Sequence, residues 1–98
     1  MPADYTIVNN EKLMHFEIHK GDDVAFLEYR FYKKDIAFMH TGVPESMEGK
    51  GVASALAAYA FKFAKEHQKP VMVYCPFVAV YLKRHPELKE QLDKEFTK

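Results

Sequence analysis

Ninety-eight residues with 48% hydrophobic and 14% aromatic side chains suffice for one small globular domain, residues 1–98, and leave no room for a second core. Fourteen Lys and Arg balance fourteen Asp and Glu, so the chain has no net charge, which argues against nucleic acid as a partner because phosphate backbones are met by basic surfaces. No apolar run approaches the ~20 residues of a membrane span, no signal-peptide core is expected at the N-terminus, and the single cysteine, Cys75, has no internal disulfide partner, so no membrane association and a reducing, cytoplasmic location are expected.

In chain order, the first half reads as strands. Residues 5–8 suggest a short edge strand with Asn9-Asn10 turning out of it. Residues 13–19 alternate, with Met14, Phe16 and Ile18 on one face and His15, Glu17 and His19 on the other. Lys20-Gly21-Asp22-Asp23 is a turn, and residues 24–32 resume the extended pattern with Ala25, Leu27, Tyr29 and Phe31 on one face. Lys33-Lys34-Asp35 turns again before a strand over 36–43. Such short connections imply an antiparallel meander.

A long amphipathic helix follows over 52–67, its packing stripe formed by Val52, Leu56, Ala60, Phe63 and Ala64, and Pro70 prevents its continuation. Residues 71–74 form a short apolar run suited to a buried strand. Residues 77–84 read as a short helix, and Pro86 opens a last helix with Leu88, Leu92 and Phe96 at i, i+4 and i+8. The order is β-β-β-α-β-α-α, an α+β fold in which helices cover a mainly antiparallel sheet.

The segment Glu48-Gly49-Lys50-Gly51-Val52-Ala53-Ser54 joins the meander to the long helix. Two glycines there let the backbone turn tightly and approach a ligand, and the unpaired N–H groups of the first helical turn favour phosphate. A P-loop requires a longer spacing between glycines and a following Lys-Ser/Thr pair, both missing here. A dinucleotide fingerprint requires a βαβ unit, whereas an antiparallel meander precedes this loop. A glycine turn that starts a helix and binds nothing is the remaining alternative.

The chain resembles the GNAT N-acetyltransferase superfamily, and more narrowly its small stand-alone GNAT-like domains. Three blocks carry the resemblance: His40-Thr41-Gly42-Val43-Pro44, the loop Gly49-Lys50-Gly51-Val52-Ala53 with its helix, and Cys75 followed by Tyr81 and His85-Pro86-Glu87. It implies a minimal acyl-CoA N-acyltransferase fold that uses acetyl-CoA as acyl donor, with no metal, and transfers acetyl to an amine by direct attack. In that reading Met39, His40, Thr41 and Val43 offer backbone groups to the pantetheine arm. The N–H groups of Gly49, Lys50, Gly51, Val52 and Ala53 cradle the pyrophosphate, and Ser54 adds a hydroxyl. Divergence of strand 36–43 from strand 71–74 makes the cleft for the thioester. Two departures accompany the resemblance: Glu48 stands where the superfamily usually has Gln or Arg, and Gly42 where the small group tends to have an acidic residue.

Acyl transfer needs a deprotonated amine, a polarised carbonyl and a proton for the departing thiolate. Tyr81 is a candidate acid, since a phenol of pKa ~10 suits a thiolate leaving group; core packing is the alternative. Cys75 is read as lining the site, as a nucleophile, or as an inert buried thiol. His40 is a candidate base for the amine, with a structural histidine as its alternative. Glu28 is either a base acting through water or an exposed strand residue, and His15 with His19 lacks the ligands of a zinc site. The acceptor groove is expected to be open or completed by a partner chain in a homodimer, admitting a small amine, a polyamine or a protein amine. A non-catalytic acyl-CoA-binding regulatory or interaction module is the alternative from another functional class.

Overall fold

A computed structural model describes residues 5–94. Five strands form one sheet in the spatial order β1-β2-β3-β4-β5: β1 Val8–Asn10, β2 His15–Lys20, β3 Asp23–Tyr32, β4 Asp35–Gly42 and β5 Val71–Val73. The first four pair antiparallel through short turns, as the alternation and turn residues require. β5 instead runs parallel to β4, a pairing that needs a crossover, and α1 (Val52–Glu66) is that crossover. α2 (Pro76–Arg84) follows β5 directly, with Pro76 in its first turn. The architecture is the expected α+β arrangement, a mostly antiparallel sheet with helices against it.

Phe16, Ile18, Ala25, Leu27, Tyr29, Ile36 and Phe38 form the buried sheet face, and α1 lays Val52, Leu56, Ala60, Phe61 and Ala64 against it. An aromatic stack holds the centre: Phe16 lies 4.5 Å from Tyr29, 5.2 Å from Tyr59 and 5.1 Å from Phe63 between ring centroids. Phe63, expected in the stripe, is only half-buried and packs at its margin, whereas Phe61 is buried. Phe31, expected to share the buried face of β3, is exposed at the strand's far end.

The opposite sheet face has no described helix over it. It carries a polar cluster around the buried Glu17 carboxylate, which takes hydrogen bonds from Asn10 Nδ2 at 3.1 Å and meets His19 Nε2 at 2.8 Å and His15 Nδ1 at 3.4 Å. Burial of this carboxylate follows from its partners, which replace water as its hydrogen-bonding environment.

Two further local expectations are corrected. The first strand runs over Val8–Asn10, so Asn9 and Asn10 lie inside it. Asn9 pairs with Phe16 across the ladder and its side chain accepts a 2.7 Å bond from Tyr29 Oη, which outweighs its turn preference. The segment after Pro86 is a 3-10 helix, Pro86–Gln91, and then Leu92 bridges Val71 in parallel while Asp93 N–H donates to the Val71 carbonyl at 2.9 Å. Edge strand β5 offers unpaired backbone groups, and the chain leaves the helical path to meet them. Phe96, which the sequence assigns to this last helix, lies outside the described residues. A further 3-10 turn, Glu45–Met47, precedes the glycine loop and buries Met47 beneath it.

The same end of the sheet holds a carboxylate pair. Lys34 Nζ lies 3.5 Å from both Asp35 and Asp93. Burial, and then hydrogen bonding to Asp93 and its negative charge, push the Asp35 carboxyl above the ordinary carboxylate value against the opposing pull of Lys34. A raised folded-state pKa makes a stability contribution that is complete below the unfolded value, ~4, and is lost as pH rises through the folded value. The difference in stability between the native chain and Asp35→Asn is therefore expected to be most favourable to the native chain near pH 4 and to shrink toward neutrality. Urea midpoints measured at several pH values check this; a difference that grows with pH contradicts it.

Candidate functional site

β4 and β5 part company at one place. Their ladder pairs Ile36 with Val71, Ala37 with Met72 and Phe38 with Val73, and there it ends. The N–H groups of Tyr74 and Cys75 both donate to the Phe38 carbonyl, at 2.9 and 3.1 Å, and Pro76 then turns the chain into α2. On the other side of β4 the register shifts: Tyr29 faces Phe38, but Glu28 faces His40. Met39 is the extra residue of this bulge. A bulge bends its strand and re-aims the side chains beyond it. Residues 39–42 consequently have β3 on one side and no strand on the other, leaving a free backbone edge of the kind to which an extended amide chain adds.

Thr41 and Cys75 stand across this opening. Thr41 Oγ1 and Cys75 Sγ are 3.2 Å apart. Cys75 is buried within the core, and Thr41 is half-buried. His40, the preceding residue, points to the open sheet face, where it lies 5.7 Å from the Phe26 ring; Phe26 in turn stacks on His15 at 4.4 Å. His15, Glu28 and His40 form a row across β2, β3 and β4. Glu28 is ion-paired with Arg30 in that row. Gly42 lies directly beside Phe26, whose ring comes within 2.5 Å of where a Cβ would stand. Any side chain at this position requires the Phe26 ring to shift.

The glycine loop forms the second part of the site. Gly49 and Gly51 have φ of 76° and 74°, in the left-handed region, and open space lies where their Cβ atoms would project. Gly51 is the N-cap of α1, and the first backbone bond into the helix is Ala55 N–H to the Gly51 carbonyl, 3.0 Å. Among the described residues the N–H groups of Val52, Ala53 and Ser54 have no backbone acceptor. They open on a hollow of about 220 Å³ bounded by Val43, Met47, Glu48, the loop and Phe77. Ser46 anchors the loop's entry through a hydrogen bond to the Asp23 carboxylate. Lys50 is the exception in the loop, since its side chain lies on the β2 side with Lys20 and outside this hollow.

A larger groove of about 620 Å³ runs between α1 and α2 and shares Ser54 and Phe77 with the loop hollow. Tyr81 lines it, with ring centroids 6.4 Å from Phe61 and 4.2 Å from His85. Burial, and then the charge of Glu87, raise its phenol above the ordinary tyrosine value, so it holds its proton at neutral pH. The site residues expected from sequence therefore fall into three neighbourhoods. Thr41 and Cys75 meet at the strand opening with Met39 and Val43 nearby in the chain; Gly49 and Gly51 to Ser54 surround the hollow; Tyr81 lies in the helix groove. His40 faces away from all three, onto the open sheet. Met47, Phe77 and Lys20 were not singled out by sequence; Phe77 and Lys20 reach the loop only through folding, and Met47 precedes it in the chain but its burial there is a product of packing.

Burial of Cys75 behind Thr41 has a direct consequence. Labelling of the native thiol by an aromatic disulfide reagent is expected to run at least about tenfold slower than in urea, because reaction requires local opening. Labelling at the unfolded rate contradicts the placement.

A family model for GCN5-related N-acetyl-transferase matches residues 15–92. The chain belongs to this family. Similar curated proteins are Protein NATD1 from Xenopus tropicalis, 34% identical over 65 residues, and Protein NATD1 from Mus musculus and Homo sapiens at the same identity and length. These matches cover 65% of this chain and 60%, 59% and 58% of the three relatives. The chain thus spans about 60% of the length of the curated relatives that it matches. Among the described residues no group of His, Cys, Asp and Glu is arranged to hold a metal ion, and no helix is long and apolar enough to cross a membrane.

Proposed function

We propose that this domain binds an acyl-CoA, with acetyl-CoA as its ligand. The observation that carries the reading is the pairing of the β4–β5 opening after Phe38 with a glycine loop whose first-turn N–H groups face an adjacent hollow. The pyrophosphate sits on the N–H groups of Val52, Ala53 and Ser54, where the helix dipole favours negative charge. The pantetheine amides extend along the free edge of residues 39–43, and the thioester reaches the opening beside Thr41 and Cys75. Membership of the GCN5-related family supports this reading. Glu48 borders the hollow and weakens the attraction for phosphate without removing the backbone donors.

A thermal shift tests it. Acetyl-CoA at ~100 times its dissociation constant adds about 2.7 kcal/mol, which raises the midpoint of a domain this size by roughly 10 °C or more. A midpoint unmoved by millimolar acetyl-CoA overturns the reading.

Transfer of the acetyl group to an amine is a second reading, supported by membership of the GCN5-related family. His40 stands on the uncovered sheet face, turned away from the opening beside Thr41 and Cys75, so it is not placed to take the amine's proton. The amine nitrogen attacks the thioester carbonyl, the C–S bond breaks from the tetrahedral adduct, and the thiolate takes a proton while the amine loses one to solvent water. Buried Cys75, held against Thr41, suits direct attack better than an acyl-cysteine. Tyr81 remains the candidate proton donor in this scheme. Release of CoA thiol with small amines, polyamines and peptides tests the reading. No thiol release with any of these amines leaves the domain an acyl-CoA binder.

A further inference from the structure

Lys50 is the middle residue of the glycine loop, yet its side chain is not part of the hollow that the rest of the loop surrounds. It lines a separate cavity of about 210 Å³ with Tyr5, Ile18, His19, Lys20, Met47 and Val52. Its backbone is fixed in that direction, since the positive-φ glycines flank it and Tyr5 Oη donates to its carbonyl at 2.6 Å. Lys20 ends β2 and reaches the same cavity. Lys20, lining the same cavity, pushes Lys50 below the ordinary lysine value, since two like charges there disfavour each other. Among the described residues neither lysine is ion-paired to a carboxylate.

Two adjacent ammonium groups without a counter-charge match one ligand chemistry well, a phosphomonoester, which carries close to two negative charges at neutral pH and three acceptor oxygens. The proposed donor has such a group besides its pyrophosphate, on the 3′ position of its ribose. Both anionic groups hang from one ribose, so their sites on the protein must be neighbours. The hollow and the lysine cavity meet that condition, being the two sides of one short loop that share Met47 and Val52.

We propose that Lys20 and Lys50 form a second anion seat, across the glycine loop from the pyrophosphate, which takes the 3′-phosphate of the acyl-CoA donor. This rests on the reading of the domain as an acyl-CoA binder. The seat makes the domain selective for CoA over nucleotides that end in an unphosphorylated ribose.

Calorimetric titration with CoA and with 3′-dephospho-CoA tests the seat. The native chain is expected to bind CoA about tenfold more tightly, since each solvent-facing ion pair contributes modestly and two act together. Lys20→Ala and Lys50→Ala each reduce the ratio of the two affinities, and the double variant brings it to about one. Equal affinities in the native chain, or a ratio that survives the double variant, overturn the seat and leave the acyl-CoA reading standing. A ratio lost instead in Lys62→Ala or Arg84→Ala moves the phosphate to the groove between the helices and overturns it equally. Failure of both nucleotides to bind removes the acyl-CoA reading and the seat together.

Discussion

Phe16→Ala is expected to lower the stability of this domain by about 3–5 kcal/mol, the largest loss of any single truncation here. Phe16 has no exposed surface, and three aromatic rings, Tyr29, Tyr59 and Phe63, lie around it within 5.2 Å of its centroid. It joins β2 and β3 to α1, so its removal opens a cavity where the sheet meets the helix. A chain of 98 residues has a total stability on the order of 5–15 kcal/mol, of which this loss is a large part. The thermal midpoint should fall by roughly 15 °C or more. Phe16→Leu keeps most of the volume and is expected to cost about 1.5 kcal/mol. Urea denaturation of the two variants checks the ranking, and an alanine variant within about 1 kcal/mol of the native chain would place Phe16 outside the core.

Gly51→Val is expected to lose at least tenfold in acetyl-CoA affinity while the domain stays folded. Gly51 caps α1 with φ of 74°, and a residue with a Cβ pays about 1–2 kcal/mol to stand there, a β-branched one at the upper end. Open space surrounds the position, so no clash drives the effect. The chain relieves the strain by rotating this φ, which re-aims the N–H groups of Val52, Ala53 and Ser54 that follow. Those groups are the proposed phosphate donors, and a tenfold loss corresponds to only 1.4 kcal/mol. Titration calorimetry measures the affinity, and far-UV circular dichroism shows whether α1 persists. Native affinity in a folded Gly51→Val chain would remove the loop from the binding site.

The strand edges most at odds with sequence reading are those where tertiary pairing overruled local preference. Asn9 and Asn10 have turn chemistry, yet the exposed edge of β2 and the Tyr29 hydroxyl recruit them into a strand. Leu88 and Leu92 have helical spacing, yet Leu92 leaves the helix to bridge the bare edge of β5. The bulge at Met39 has no sequence mark either, because a bulge is a mismatch between two strands and neither strand contains it alone. Within the candidate site, Gly49, Gly51 and the start of α1 were legible because glycine and helix periodicity are local properties. Their partners Phe77 and Lys20 were not, since they arrive from other elements.

The sequence by itself determined the strand meander, the long helix and the strand and short helix after it, the position of the phosphate-type loop and the resemblance to the GCN5-related family. Turn residues, period-two and helical patterning, and two glycines before an amphipathic stretch encode these within short windows. Only the tertiary structure decided that β5 pairs parallel to β4 and releases it after Phe38, that Cys75 is buried against Thr41, that Tyr81 faces the helix groove, and that Lys20 meets Lys50 beneath the loop. Each of these is a contact between residues far apart in the chain. Such contacts are set by how the hydrophobic faces of α1 and the sheet close on one another, which no single window of sequence specifies.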